Sequence, residues 1–171
     1  MIAAFDVHYL PDGTASAAAV LFSDYLALEP SEEFTLRLQE VAGYIPGEFY
    51  KRELPCILSI YDTLGEKPDD IIIDGYVVLG IRPGLGQHLF EALGRKTPVI
   101  GVAKSSFDDA PGIEVLRGES TRPLYVTSVG IDPWEASQKI RTMHGPHRIP
   151  TLLKHVDLLA RGLLSKKRIT H

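Results

Sequence analysis

The sequence predicts an α/β fold: a mixed sheet of three antiparallel N-terminal strands followed by parallel strands, flanked by helices. Three β-like runs at residues 2–8, 15–25 and 31–41 follow one another on short connections, which suits an antiparallel meander. Two continuous apolar runs, IIID at 71–74 and PVIGVA at 98–103, have the composition of strands buried on both faces. Helix-spaced segments lie between and after them.

In chain order, IAAFDVH opens the sheet, and Pro11, Asp12 and Gly13 turn the chain. ASAAAVLFSDY returns as a second strand despite its alanines, and SEEFTLRLQEV alternates enough to make a third. YIPG at 44–47 breaks the pattern. FYKRELPCILSIYDTL is the first helix, with Leu54, Ile57, Leu58 and Tyr61 on one face. Placing Pro55 in its first turn puts Glu53 at the helix entrance. IIID is the next strand. RPGLGQHLFEALGRK reads as loop then helix ended by Gly94, and TPVIGVA as a central strand. Residues 113–117 and 123–129 are later strands or a hairpin. DPWEASQKIRTMH is a helix with Asp132 as N-cap and Pro133 at its first position. IPTLLKHVDLLARGLLSK closes the chain as a helix with a stripe of Leu152, Leu153, Val156, Leu159 and Leu163. A ribonuclease H-like topology fits this order and would let Asp6 and Asp74 meet on neighbouring strands.

The 171 residues read as one domain, residues 1–171, since no linker, repeat or low-complexity segment divides them. The hydrophobic share is 44% and the mean hydropathy +0.02, and no apolar run reaches the ~18–20 residues of a bilayer span. The start MIAAFDVHY lacks a basic n-region, so no signal peptide is expected. Cys56 is the single cysteine and reads as a buried small hydrophobe, fitting a reducing, cytoplasmic compartment with no membrane association. A net charge of −4 excludes wrapping a long duplex by charge alone. Basic clusters at 51–52, 95–96 and in the tail KKRITH leave room for a small nucleic-acid site. The glycines at 84 and 86 are no nucleotide fingerprint, no closed zinc spacing occurs, and HGPH at 144–147 reads as an exposed turn.

Three carboxylates stand where the framework should meet solvent: Asp6 after the first apolar run, Glu53 beside the first helix and Asp74 at the end of IIID. Two carboxylates from strands and one from a helix can hold a hard divalent cation against a phosphate. Lys104, directly after the strand PVIGVA, adds a cation from a fourth element. Each residue taken singly also suits a turn, a cap or an exposed surface position. His8 is two residues from Asp6 and shares its face of the strand, where it would contact phosphate or simply pack as a satisfied neighbour. His88 reads as a structural or helix-surface residue.

The blocks DVHY at 6–9, YIPGEFYKREL at 44–54, DIIIDG at 70–75, PVIGVAKS at 98–105 and RIPTLLKHVD at 148–157 together resemble the endonuclease V family. The resemblance implies a ribonuclease H-like fold and Mg²⁺-dependent hydrolysis, with Mn²⁺ as substitute. The bond cut is the second phosphodiester 3′ to inosine in DNA or RNA, leaving 3′-hydroxyl and 5′-phosphate ends. It places the metal ligands on Asp6, Glu53 and Asp74, the active-site lysine on Lys104 and a late histidine-or-aspartate position on Asp157. It places the strand-separating tyrosine on Tyr44, in a wedge that Pro46 and Gly47 shape for substrate contact. Where family members read DGHG, this chain has Tyr76 and Val77 in place of the histidine and second glycine, and Gly80 stands at the place of a second histidine. A further family histidine falls on Ile131, His88 aligns with a later one, and Arg82 is the nearest candidate to contact phosphate in the missing histidine's stead. Two alternatives stay open beside the inosine nuclease: a nuclease of different nucleic-acid specificity, and a catalytically weak nucleic-acid-binding homologue. DNA against RNA, and one metal against two, are also left open. Oligomeric state and protein partners are left open as well, with a monomer the simplest form.

Overall fold

A computed structural model describes residues 1–46, 48–107 and 112–164. The first three strands, β1 (Ile2–Tyr9), β2 (Ala15–Phe22) and β3 (Glu32–Leu38), form the expected antiparallel meander. Helix α1 (Tyr50–Asp62) leads to β4 (Asp70–Asp74). A small hairpin of β5 (Val78–Leu79) and β6 (Arg82–Pro83) precedes α2 (Leu85–Ala92) and β7 (Val99–Ala103). Then come β8 (Ile113–Val115), β9 (Leu124–Val129), α3 (Pro133–Thr142) and α4 (Thr151–Ala160). The main sheet has seven strands in the order β3-β2-β1-β4-β7-β9-β8. The parallel stretch is β1-β4-β7, and β9 then runs antiparallel to β7. The expected ribonuclease H-like mixed sheet is therefore present, with its last two strands turned back as a hairpin.

Alternation along the strands sorts the core into two layers. Ile2, Ala4, Ile72, Ile100 and Val102 face α3 and α4, whereas Ala3, Phe5, Ile71, Ile73 and Val99 face α1 and α2. The alanines of β2 suit a strand covered on both sides, where small side chains let helices approach. Ala17, Ala18 and Ala19 are all fully buried.

Helix boundaries differ from expectation in two places. Helix α1 begins at Tyr50, so Pro55 lies inside it and Glu53 is its fourth residue rather than at its entrance. The backbone N–H groups of Lys51, Arg52 and Glu53 donate to the carbonyls of Glu48 and Phe49, so the helix is already closed before the proline. Pro55 leaves the Lys51 carbonyl without its helical donor, and burial of Cys56, Ile57 and Ile60 offsets that loss. Of the expected apolar face, Ile57 is buried, while Leu54, Leu58 and Tyr61 are partly buried around it. Helix α4 ends at Ala160, because Gly162 takes φ 72° and turns the chain; Leu163 is left exposed. The β5–β6 hairpin was not anticipated, since two-residue strands carry no periodic signal. No helix among the described residues is long and apolar enough to cross a membrane.

Candidate active site

The register of β1 on β4 builds the site. Phe5 pairs with Ile73, so the next residues, Asp6 and Asp74, stand side by side. The strand β1 does not end at Asp6 but continues to Tyr9 along β2. What ends is β4, and its end opens the gap that Asp6 faces. Asp74 in turn pairs with Val102 of β7, two residues before Lys104. Asp6, Asp74 and Lys104 line one small cavity of about 60 Å³, whose lining also includes Ile149 and Pro150 just before α4 and Leu153 and Asp157 within it. The Lys104 ammonium lies 3.1 Å from a carboxylate oxygen of Asp74.

Glu53 approaches the two aspartates from α1, which packs on the opposite layer of the core, without lining that cavity itself. It is 4% exposed, and its Oε2 has no hydrogen-bond partner among the described residues. Burial, followed by repulsion from Asp6 and Asp74, pushes its carboxyl well above the usual range. Burial and the neighbouring Asp74 push Asp6 up to about 7. Each effect disfavours the ionised form. Asp157 behaves differently: Arg161 and Lys154 bond it at 2.9 and 3.3 Å. Against a desolvation that raises it, those bonds hold its carboxyl below the usual value.

No group of three or more His, Cys, Asp or Glu side chains among the described residues is closed to the geometry of a metal site. The donor chemistry nevertheless fits a hard cation. Asp6 and Asp74 stand side by side with Glu53 near them, burial and then neighbouring aspartates hold Asp6 and Glu53 toward neutrality, and Glu53 carries a buried oxygen left unsatisfied among the described residues. Lys104 supplies the positive charge at the two aspartates, and Arg52 the one that acts on Glu53.

The wedge expected at Tyr44 is an exposed loop, with Tyr44, Ile45 and Phe49 all open to solvent. Gly47 lies outside the described residues, as does the basic tail KKR. Pro46 lines a second, larger cavity of about 450 Å³ with Glu48, Tyr50, Leu79, Arg82, Pro83 and His88. Arg82 is thus not brought to the carboxylate cavity; the hairpin carries it to this second one instead. His88 stacks on Tyr50, ring centroids 3.7 Å apart. His8 pairs with Ser16 and lines neither cavity. Two of the basic clusters are also engaged: Lys51 pairs with Glu48 and Arg95 with Glu91, while Arg52 lies over the Tyr9 ring at 3.6 Å. Buried Cys56 behaves as the small hydrophobe expected, and burial pushes its thiol up.

The segment after Asp74 departs most from the expected pattern, and it has its own packing logic. Val77, fully buried, sits where a glycine was expected, and Gly84 and Gly86 supply the room. A Cβ on Gly86 would lie 2.6 Å from the Val77 side chain, and one on Gly84 would lie 2.8 Å from the Tyr76 carbonyl. The glycine pair that is not a nucleotide fingerprint is a seat for this loop.

The endonuclease V family model matches residues 1–131 of the chain.

The chain belongs to the endonuclease V family.

Endonuclease V of Xanthomonas oryzae pv. oryzae is 35% identical over 126 residues, which are 71% of this chain and 51% of that protein. The chain therefore spans about half the length of the curated relatives it matches. Endonuclease V of Streptomyces avermitilis superposes with a TM-score of 0.80 at 27% identity, over 94% of this chain and 79% of that one. Endonuclease V of Ciona intestinalis, in complex with a 23mer DNA containing an inosine followed by a ribo-adenosine, gives 0.81 at 20% identity, over 94% and 83%; this likeness is one of fold. Within the endonuclease V family the blocks around Asp6, Glu53, Asp74 and Lys104 all fall inside the matched range, whereas Asp157 lies beyond it.

Proposed function

We propose that this endonuclease V family member is a divalent-metal-dependent endonuclease. It hydrolyses a phosphodiester bond 3′ to inosine, or to another deaminated purine, in DNA or RNA. The observation that carries the proposal is the pairing of Asp6 with Asp74 beside a buried Glu53 whose Oε2 is unsatisfied among the described residues, an arrangement that is costly unless a cation joins it. Asp6, Glu53 and Asp74 would hold Mg²⁺, with Mn²⁺ as substitute. Bound there, the ion would polarise the scissile phosphate and lower the pKa of an attacking water.

The chain's own groups do the rest. Lys104, anchored at Asp74, is placed to offset charge gathering on a phosphate oxygen once the carboxylates are neutralised from the other side. Tyr44 and Pro46 present a ring and a stiff turn that separate a purine from its neighbours by stacking. The cavity between this loop and the hairpin, of the size that holds small ligands, receives the displaced base. Its Arg82 is available to a flanking phosphate. The inosine-containing DNA bound by the Ciona relative supports this substrate class.

The test is cleavage of end-labelled single-stranded DNA and RNA, each with and without one inosine, in EDTA, Mg²⁺ and Mn²⁺, with Asp74→Ala alongside. A metal-dependent cut one nucleotide beyond inosine, lost in the variant, is expected. Equal cutting by the variant would sink the assignment. Binding without any cut by folded protein would point to the non-hydrolysing alternative.

A further inference from the structure

The loop between Asp74 and the β5–β6 hairpin lies over β7 and reaches the segment that carries Lys104. Its path is fixed on both sides of Tyr76. The Gly75 N–H donates to the Val102 carbonyl at 3.0 Å, and the Val77 N–H to Thr127 Oγ1 at 2.8 Å. Beneath it, Gly101 leaves the crossing no spare room: a Cβ there would lie 2.5 Å from the Gly75 carbonyl. Tyr76 therefore leaves a pinned backbone. Its hydroxyl donates to the Ser105 carbonyl at 2.8 Å, and its ring lies beside Phe107. From the other side, Arg148 donates to the Lys104 carbonyl and to the carbonyls of Arg122 and Pro123 at 3.1 and 2.8 Å. Two consecutive carbonyls, at Lys104 and Ser105, are thus each tied by a side chain from a distant part of the chain.

These ties lie just past the last paired residue of β7, Ala103. Without them the backbone of Lys104 would be a free strand end carrying a long side chain, and its ammonium would sample many positions. We infer that Tyr76, with Arg148, is a positioning residue that fixes the backbone of Lys104 so that its ammonium stays at Asp74. Tyr76 stands where the family resemblance expects a histidine, so this chain uses the altered position to hold its catalytic lysine. The inference rests on the proposed role of Lys104 in hydrolysis. Held geometry matters because small displacements of a charge-stabilising group cost rate rather than affinity.

Tyr76→Phe is the decisive variant, since it removes the hydroxyl and keeps the ring on Phe107. Loss of one such bond predicts a fall in kcat of about tenfold with KM within about twofold. The thermal midpoint should stay close to wild type. The loss should vanish when Lys104→Ala is already present, because the two changes act through one group. A second readout needs no turnover. In metal-free protein, acylation of Lys104 by an amine reagent, followed by peptide mass spectrometry, should quicken severalfold in Tyr76→Phe while other lysines keep their rates. Unchanged kcat, the same loss in both backgrounds, or an unchanged Lys104 acylation rate would overturn the inference. If wild type cuts no inosine substrate under any metal, the proposed function falls, and the acylation rates alone still decide whether Tyr76 holds Lys104.

Discussion

The strand β4 carries an aspartate at each end, and the two ends are built on opposite principles. At its start, Asp70 accepts from the Tyr25 hydroxyl at 2.7 Å and from the Lys139 ammonium at 2.9 Å, with its side chain 15% exposed. Lys139 also pairs with Glu135 at 3.5 Å and lies over the Tyr25 ring. Charge there is matched by charge. At its end, Asp74 stands beside Asp6 with Glu53 close enough to feel both charges, and among these three carboxylates Lys104 bonds Asp74 alone. One end is finished as it stands, and the other is a polar cluster that a bound cation would complete. The same residue type on one five-residue strand therefore reads as support in one place and as a site in the other, and only the partners distinguish them.

Activity separates the two ends most sharply. Asp6→Asn and Glu53→Gln should each lower metal-dependent cleavage by at least ~10³-fold, the rate equivalent of losing several kcal/mol of metal-borne stabilisation. Asp70→Asn should leave the rate per folded molecule within about twofold. Single-turnover assays at matched folded concentration check this; equal losses at both ends would erase the distinction.

Stability against pH should separate them next. In the metal-free protein, the Asp6 carboxyl is raised from 3.8 to about 7, and Glu53 moves in the same direction. Between about pH 4 and pH 7 the folded state then holds protons that the unfolded chain has released, so stability must fall as pH rises through that window. Above the folded value the loss is complete and the slope ends. Three units on Asp6 set an upper scale on the order of 4 kcal/mol. Groups held low, such as Asp157, act in the opposite sense and below about pH 4. Thermal melts in EDTA should therefore give a higher midpoint at pH 5 than at pH 8. Mg²⁺ should restore the midpoint at pH 8 by binding the ionised carboxylates. Asp6→Asn should flatten both responses. A midpoint that climbs from pH 5 to pH 8 in EDTA would contradict the electrostatic reading of the site.

The finished end should show its own effect in stability alone. Asp70→Ala leaves the Tyr25 hydroxyl and the Lys139 ammonium without their common acceptor, in a place with little access to water. A loss of about 2 kcal/mol is expected, less than for a fully buried pair because Lys139 keeps Glu135 and some solvent. Urea unfolding at pH 7 measures it. Glu53→Gln in the same assay should be neutral or stabilising, since it removes a buried carboxyl that is costly to ionise and has an unsatisfied oxygen among the described residues.

How much of this the sequence disclosed follows from how local each signal is. IIID and PVIGVA are continuous apolar runs, so their burial, their neighbourhood and the placement of Asp74 and Lys104 at their ends were all legible. The pairing of Asp6 with Asp74 followed from topology. The layer from which Glu53 arrives did not, because Pro55 suggested a later helix start and the upstream hydrogen bonds that close α1 leave no mark in composition. Arg82 was legible as a candidate phosphate contact, but the hairpin of two-residue strands that sets it in the second cavity was not. The ties on Lys104 were invisible for a plainer reason: a tyrosine hydroxyl and a guanidinium bonding backbone carbonyls 29 and 44 positions away have no sequence pattern.

The smallest expected effect concerns how the Asp74 end is seated. Val77 fills a space that Gly86 leaves. Gly86→Ala forces a methyl to within 2.6 Å of the Val77 side chain and 2.9 Å of its Cα, so the loop after Asp74 must shift. Overpacking of this kind costs about 1–2 kcal/mol, and here it should also lower cleavage because the displaced loop carries Tyr76. Val77→Ala combined with Gly86→Ala returns the volume and should recover part of both losses, a coupling that independent sites do not show. The same Gly86→Ala change should leave the protection of the Asp70 end unaltered in amide hydrogen exchange. Slowed or quickened exchange around Tyr25 and Lys139 would mean that the two ends of β4 are mechanically one unit, and that their different chemistry is not matched by independent packing.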